Sequence, residues 1–307
     1  MATTYDKASL VMIPSGYKDD KLYSVKPTDG SGDFTFSRDG AGASPATRVN
    51  ASGLIERGRT NELLQSNQFD TTWTNFNSSE TSGQSGYDGS SDAWLISKSG
   101  ANGNINQVVS VSGVYSFSVY AKAGTDNWVQ VRMGSATLHE AFFDLANGVV
   151  GTESNLIDSS IDSVGGGWYR CSITANVSSV SYVRLYVADA DNDTSGTSGN
   201  IYIQDAQLEQ GLVATAPAIE TTTAAVSAGL LGDMPRLDYS GGATCPSLLL
   251  EPSRVNSDPN SEYLANKPIV TNVSVTTNST TSPEGVVNAS TITNNTTSGQ
   301  HQLTDNT

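Results

Sequence analysis

Between residues 69 and 223 polar and apolar side chains alternate with a period of two, the signature of a strand with one buried face. Over 167–175 one face carries Tyr169, Cys171, Ile173 and Ala175, and the other Trp168, Arg170, Ser172 and Thr174. Over 182–187 the split is Val183, Leu185 and Val187 against Tyr182, Arg184 and Tyr186. Over 128–133 it is Val129, Val131 and Met133 against Trp128, Gln130 and Arg132. Over 114–123, Tyr115, Phe117, Val119 and Ala121 oppose Ser116, Ser118, Tyr120 and Lys122. The pattern predicts strands at 93–97, 105–111, 114–123, 128–133, 140–144, 167–175, 182–188 and 201–208. Clusters of Gly, Asn, Asp and Ser separate them. Residues 157–164 hold one helical turn at most, and no long amphipathic helix is expected.

Strands at this spacing predict an all-β fold, a jelly-roll-type sandwich of two sheets over 69–223. Residues 1–32 are too few to build a core and are expected to dock on a partner as an N-terminal anchoring segment. Residues 33–68 read as a short β collar and 224–250 as a linker. Residues 251–307 read as an incomplete second β module, because the stretch from Glu56 to Gln107 recurs in degenerate form from Glu251 to Gln302. Glu56-Arg57-Gly58-Arg59-Thr60-Asn61 aligns with Glu251-Pro252-Ser253-Arg254-Val255-Asn256, and the offset is roughly 195 residues. A period that long is a whole domain, which implies a modular, elongated protein.

Composition sharpens this picture. Hydrophobic residues make up 36% and charged residues only 15%, so polarity comes from Ser, Thr, Asn and Gly, which suit strand faces and turns. The formal net charge of −15 argues against nucleic acid or membrane surfaces as partners. No apolar run has the length of a membrane span, and Met1 to Leu10 lacks the basic-then-apolar order of an export signal. An external character without an export signal fits a virus particle released by lysis. Cys171 and Cys245 show no metal spacing and are expected as small buried side chains rather than a disulfide.

The non-core strand faces gather Trp128, Gln130, Arg132, Trp168, Arg170, Tyr182, Arg184 and Tyr186. Flat aromatics beside hydrogen-bonding neighbours suit a contact with another subunit, a sugar ring, or loops of the same chain. Asp189, Asp191 and Asp193 alternate as in a calcium loop, so a structural Ca²⁺ is a candidate; Thr194 and Asn200 replace the Gly and closing Glu such a loop needs, which favours a solvated acidic turn. No other cofactor is indicated. With His139 and His301 the only histidines and no catalytic motif, no enzyme is expected; Glu140 and Asp144 offer a carboxylate pair of the kind any acidic chain contains.

Asp33-Phe34-Thr35-Phe36-Ser37-Arg38, Ala46-Thr47-Arg48-Val49-Asn50-Ala51-Ser52-Gly53-Leu54-Ile55-Glu56, Arg59-Thr60-Asn61 and Leu63-Leu64-Gln65-Ser66-Asn67-Gln68-Phe69 together resemble the opening of tailed-bacteriophage virion structural proteins, the head fibres, spikes and tail appendages. Gly167-Trp168-Tyr169-Arg170 and Ala206-Gln207-Leu208-Glu209-Gln210-Gly211 look like later marks of the same module, whose β-sandwich is similar to carbohydrate-binding modules and concanavalin-like lectins. The resemblance implies homotrimeric fibres on the exterior of a phage particle, attached through the N-terminus to a capsid or tail protein. It also implies sugar binding at the host surface in some members. A glycan-binding module of a tail fibre or of a secreted bacterial adhesin is the alternative.

Overall fold

The alternating segments pair as antiparallel ladders in a computed structural model that describes residues 3–18, 20–36, 47–50, 52–228, 234–239, 244, 247–249, 258, 260–295 and 298–304. In chain order a four-residue helix, α1 (Thr4–Lys7), precedes β1 (Val11–Lys18), β2 (Lys21–Lys26), β3 (Phe34–Thr35), β4 (Thr47–Val49), β5 (Ile55–Arg57) and β6 (Arg59–Asn61). Then follow β7 (Thr74–Phe76), β8 (Ser78–Gln84), β9 (Ala93–Lys98), β10 (Asn104–Ala123), β11 (Trp128–Gly134) and β12 (Leu138–Asp144). Next come β13 (Val149–Ser154), β14 (Asp158–Gly165), β15 (Trp168–Ala188), β16 (Gly199–Gln210), β17 (Val226–Ala228), β18 (Leu237–Asp238) and β19 (Ser247–Leu248). The last are β20 (Ile269–Thr271), β21 (Val273–Thr280), β22 (Ala289–Asn294) and β23 (Gln302–Thr304).

Two units emerge. One comprises residues 1–59, 227–259 and 281–286; the other comprises 60–226, 260–280 and 287–307. In the first, β1, β2 and β3 form a small antiparallel sheet, Leu22 is its fully buried side chain, and Lys21 pairs with Asp33 at 2.9 Å. Arg57 reaches Glu284 at 3.3 Å within the same unit.

The second unit holds the sandwich. Its ladder runs β13-β12-β11-β15-β10-β16-β9-β8, with β14 on β15 and β7 on β10. β10 and β15 each serve both layers. Their outer halves, Asn104 to Val108 against Tyr182 to Tyr186, carry β7 and β11. Their inner halves, Val114 to Lys122 against Trp168 to Asn176, carry β16 and β14. The ladder slips between the halves, on either side of Val111, and Gly113 turns there at φ 109°, a conformation that costs a side-chain-bearing residue but not glycine. Layer one is therefore β13-β12-β11-β15-β10-β7, and layer two is β14-β15-β10-β16-β9-β8.

Between the layers lies one continuous core. Val129, Val131, Met133, Val183, Leu185 and Val187 from layer one meet Phe117, Val119, Ala121, Cys171, Ile173, Ile201 and Ile203 from layer two. The alternation predicted these faces, and the all-β sandwich follows from it; each such aliphatic or Phe side chain contributes about 1.5–3 kcal/mol when fully buried. Cys171 is a buried free thiol, and burial pushes its pKa up. Cys245 lies outside the described residues, as do the turn at 38–42 and the second copy of the Glu56 motif at 251–256.

Three differences from the expected strands have physical causes. The segments 105–111 and 114–123 are one strand, as are 167–175 and 182–188, because a bulged ladder bends without breaking. Residues 158–165 are β14 rather than a helical turn, since pairing with β15 outweighs their weak local preference. β7, β8 and β13 escape the period-two test because they are short or almost wholly polar.

The last of the opening marks, Asn61 and Leu63 to Phe69, meet the closing marks in this unit. The Asn61 amide donates to the carbonyls of Ala206 (3.0 Å) and Ile219 (2.8 Å) and accepts from the Leu208 amide (3.0 Å). Leu63 and Phe69 enter the core directly behind it.

Candidate functional site

The structure divides the outward-facing candidates between two faces. Trp168 and Arg170 lie on layer two, beneath residues 211–220 of the same chain. Arg170 donates to Ser118 Oγ (3.0 Å) and to the Thr215 carbonyl (2.6 Å). Glu209 accepts from the Thr215 amide and hydroxyl, and Gln207 accepts from the Ile219 amide, all at 2.6 Å. Trp168, 3% exposed, packs with Ala93, Tyr120 and Tyr87, and the two tyrosine rings stack 3.8 Å apart. Of the alternatives open for these side chains, packing by loops of the same chain is what the geometry provides. The Gly167–Arg170 and Ala206–Gly211 marks thus fasten the return segment onto the sandwich.

Layer one brings the other six together. Cross-strand register places them in rows. One row reads Phe76, Asn104, Tyr186, Gln130, Phe142. The next reads Thr74, Asn106, Arg184, Arg132, Glu140, and is followed by Val108, Tyr182, Gly134, Leu138. Trp128 stands at the end of β11, its ring lying over Gly151, where an added Cβ would meet it at 2.7 Å. Phe76 (53% exposed) and Val108 (81%) stand open to solvent at the β7–β10 side, while Tyr186 (4%) and Gln130 (1%) form the floor.

The floor is knitted by polar contacts. Arg132 and Arg184 both donate through Nη1 to the Tyr186 hydroxyl, at 2.9 and 3.2 Å. The Arg132 guanidinium also sits 4.6 Å from the Tyr186 ring, and that of Arg184 stacks 3.9 Å from the Tyr182 ring. The Tyr182 hydroxyl lies over Gly134, 3.1 Å from where a Cβ would stand, so the small residue lets the ring lie along the sheet. Glu140 accepts from Gln130 Nε2 (3.1 Å) and pairs with Arg132 Nε, an ionic contact without hydrogen-bond alignment. Gln130 Oε1, Asn104 Oδ1, Arg132 Nε and Arg184 Nε are buried without a hydrogen-bond partner, a concentration of unspent polar capacity on one face.

Sequence reasoning missed Phe76, Asn104, Asn106 and Val108 on this face. Phe76 sits on a strand of three residues, and Asn104, Asn106 and Val108 become neighbours of Tyr186 only through long-range register. The signal available was the opposite-face parity of 104, 106 and 108 within one alternating run.

Asp189, Asp191 and Asp193 do not converge. Asp189 binds the Lys98 ammonium and accepts from the Gly196 amide (2.8 Å). Asp191 accepts from Thr152 (2.6 and 3.0 Å), and Asp193 from the Ser195 amide (2.9 Å). Among the described residues no group of three or more His, Cys, Asp or Glu side chains is arranged to hold a metal ion. Glu140 is engaged as above, and Asp144 caps the following turn through the Ala146 (2.9 Å) and Asn147 (3.2 Å) amides. A shallow concavity of about 490 Å³, lined by Val150, Glu153, Asn155, Ile157 and Ser159, lies at the β13–β14 end and includes none of these side chains. No helix among the described residues is long and apolar enough to cross a membrane.

No protein-family model matches the chain, and no curated protein is significantly similar to it. Among the solved structures that show slight likeness are three with a TM-score of 0.31 each. One is the CBM22-1–GH10 portion of Clostridium thermocellum xylanase 10B complexed with xylohexaose, at 11% identity over 50% of this chain and 28% of that one. Another is the enzymatically active domain of bacteriophage CBA120 tailspike protein 4, at 15% identity over 50% and 21%. The third is an exo-β-agarase, at 7% over 51% and 26%. These three are carbohydrate-active or carbohydrate-binding proteins, one of them a phage tailspike domain. The chain spans less than a third of each, and likeness this slight carries no functional conclusion.

Proposed function

We propose that this chain is a non-enzymatic structural protein of a tailed-phage particle, a head fibre or related appendage, whose sandwich binds glycans through the outer face of layer one. The observation that carries the binding role is the row structure of that face. Exposed Phe76 and Val108 border, on the β7–β10 side, a floor in which Arg132 and Arg184 are both hydrogen-bonded to Tyr186. A sugar ring offers C–H groups to flat aromatics and hydroxyls to fixed donors, and such a platform supplies both. Glu140 is tied to Gln130 and Arg132, and Asp144 to the turn that follows it, so both carboxylates have structural uses within the chain. The virion role rests on the sequence motifs, with residues 1–32 as the anchor to a capsid or tail protein and the homotrimer as the assembly.

A glycan array with the wild-type chain and Phe76→Ala tests the binding role. Glycan signals that Phe76→Ala reduces at least tenfold, with an unchanged melting temperature, are expected; signals the variant leaves intact would remove this face. Particle incorporation of a chain lacking residues 1–32 tests the anchor, and normal incorporation would refute it.

A further inference from the structure

We infer that the glycan bound by layer one carries a carboxylate, as a uronic- or sialic-acid residue does; this rests on the glycan-binding reading above and names its substrate class.

Arg132 and Arg184 are direct cross-strand partners, and like charges so placed destabilise a sheet. The chain holds only 16 Lys and Arg in a net charge of −15, so two adjacent guanidiniums are not a by-product of a basic surface. Glu140 answers Arg132 alone. Among the described residues no carboxylate stands within ion-pair distance of Arg184, whose contacts are the Tyr186 hydroxyl and the Tyr182 ring. Asp144 shares the face but stands opposite Trp128 and caps its own turn, so the Arg184 charge is the one without a direct counter-ion there.

Geometry sets what can answer that charge. Both arginines spend Nη1 on the same hydroxyl, which draws the two guanidiniums to one point and leaves the Nη2 donors of both for an outside acceptor. The Tyr182 stack holds the Arg184 plane before any ligand arrives, so little side-chain freedom is lost on binding. Two prefixed guanidinium edges match the paired oxygens of a carboxylate better than a lone hydroxyl, which Asn or Gln would serve without the repulsion. Phe76 and Val108 then offer apolar area to the ring that bears the acid.

The test uses the full chain on an array of uronic-acid, sialic-acid, sulfated and neutral glycans. Calorimetric titration follows with the best acidic hit, its methyl ester and its neutral parent, for wild type and Arg184→Gln. Circular dichroism and melting confirm that the variant folds, and its melting temperature is expected to hold or rise as the repulsion is relieved. Binding of carboxylated glycans, weakened at least tenfold by esterification and losing that preference in Arg184→Gln, is the expected result. Equal binding of acid and neutral parent would overturn the carboxylate assignment and leave glycan binding standing. Hits confined to sulfated glycans would also overturn it. No binding to any glycan would overturn the glycan reading itself.

Discussion

Asn77 and Asn272 occupy the same place in two copies of one motif. Each sits between a three-residue strand and a long one, at φ 48° and 56°, and each side chain donates at 2.8 Å across the motif, to the carbonyl of Ala101 or of Gln300. Their own carbonyls accept from Ser99 (2.8 Å) and Asn295 (2.9 Å). The pairing β7–β10 recurs as β20–β23, and β8–β9 recurs as β21–β22 with its register break at the matching position. Asn tolerates this left-handed backbone better than other side chains. Asn77→Ala loses both the tolerance and the hydrogen bond, and should cost about 1–3 kcal/mol in urea unfolding; Asn77→Gly loses only the bond and should cost less. Equal costs would deny the backbone contribution.

The two copies differ in what borders them. β9 lies between β8 and β16, whereas β22 pairs with β21 alone among the described residues. Hydrogen exchange followed by mass spectrometry should show 93–98 protected by several orders of magnitude more than 289–294. Equal protection would mean that another strand pairs with β22 in solution.

Lys98 is buried between two carboxylates, Asp189 and, at 3.4 Å, Asp126. Desolvation raises the Asp126 pKa above the usual carboxylate value even though Lys98 lowers it. Lys98→Met leaves two uncompensated acids and should lower stability by about 3–5 kcal/mol. Mild acidification should recover part of the loss, because protonation then removes the stranded charge. Full stability of Lys98→Met at pH 7, measured by thermal melting, would contradict this.

Asp205 gives the protein a pH dependence of the less common sign. Burial raises its pKa to about 6 from 3.8, although the Tyr87 hydroxyl donates to it at 2.8 Å. On acidification the folded chain takes up this proton near pH 6 and the unfolded chain only near 3.8. Stability therefore rises as pH falls from 7 toward 4, by on the order of 2–3 kcal/mol from this group. Asp205→Asn should flatten that slope in urea melts; an unchanged slope would assign it elsewhere.

Trp168 and Phe76 differ in what their removal costs the fold. The Trp168 ring is buried under residues of its own chain, so Trp168→Ala should cost about 3–5 kcal/mol, while Phe76→Ala, half in solvent, should cost under ~1 kcal/mol. The reverse ranking in chemical denaturation would invert the assignment of the two faces.

Legibility in the sequence followed the range of the interactions involved. Period-two alternation marks a core face locally, so Val129, Ile173 and Leu185 were readable one strand at a time. The same parity marks an outer face but not its neighbour, so Trp128 and Trp168 looked equivalent until register and residues 211–220 distinguished them. The aspartates at 189, 191 and 193 had suggestive spacing, yet each turns to a different partner once Lys98 and Thr152 arrive from distant strands. The repeat was legible because the stretch from Glu56 to Gln107 recurs in order from Glu251 to Gln302, whereas the shared role of Asn77 and Asn272 shows only in the backbone.

β10 and β15 pass through both layers without a break, so the sandwich has no dividing line along which it can open like a book. Residues 104–108 beside Arg184 and residues 114–122 beneath the Arg170 fastening are one length of backbone. A pull on either end of these two strands is therefore shared by both layers.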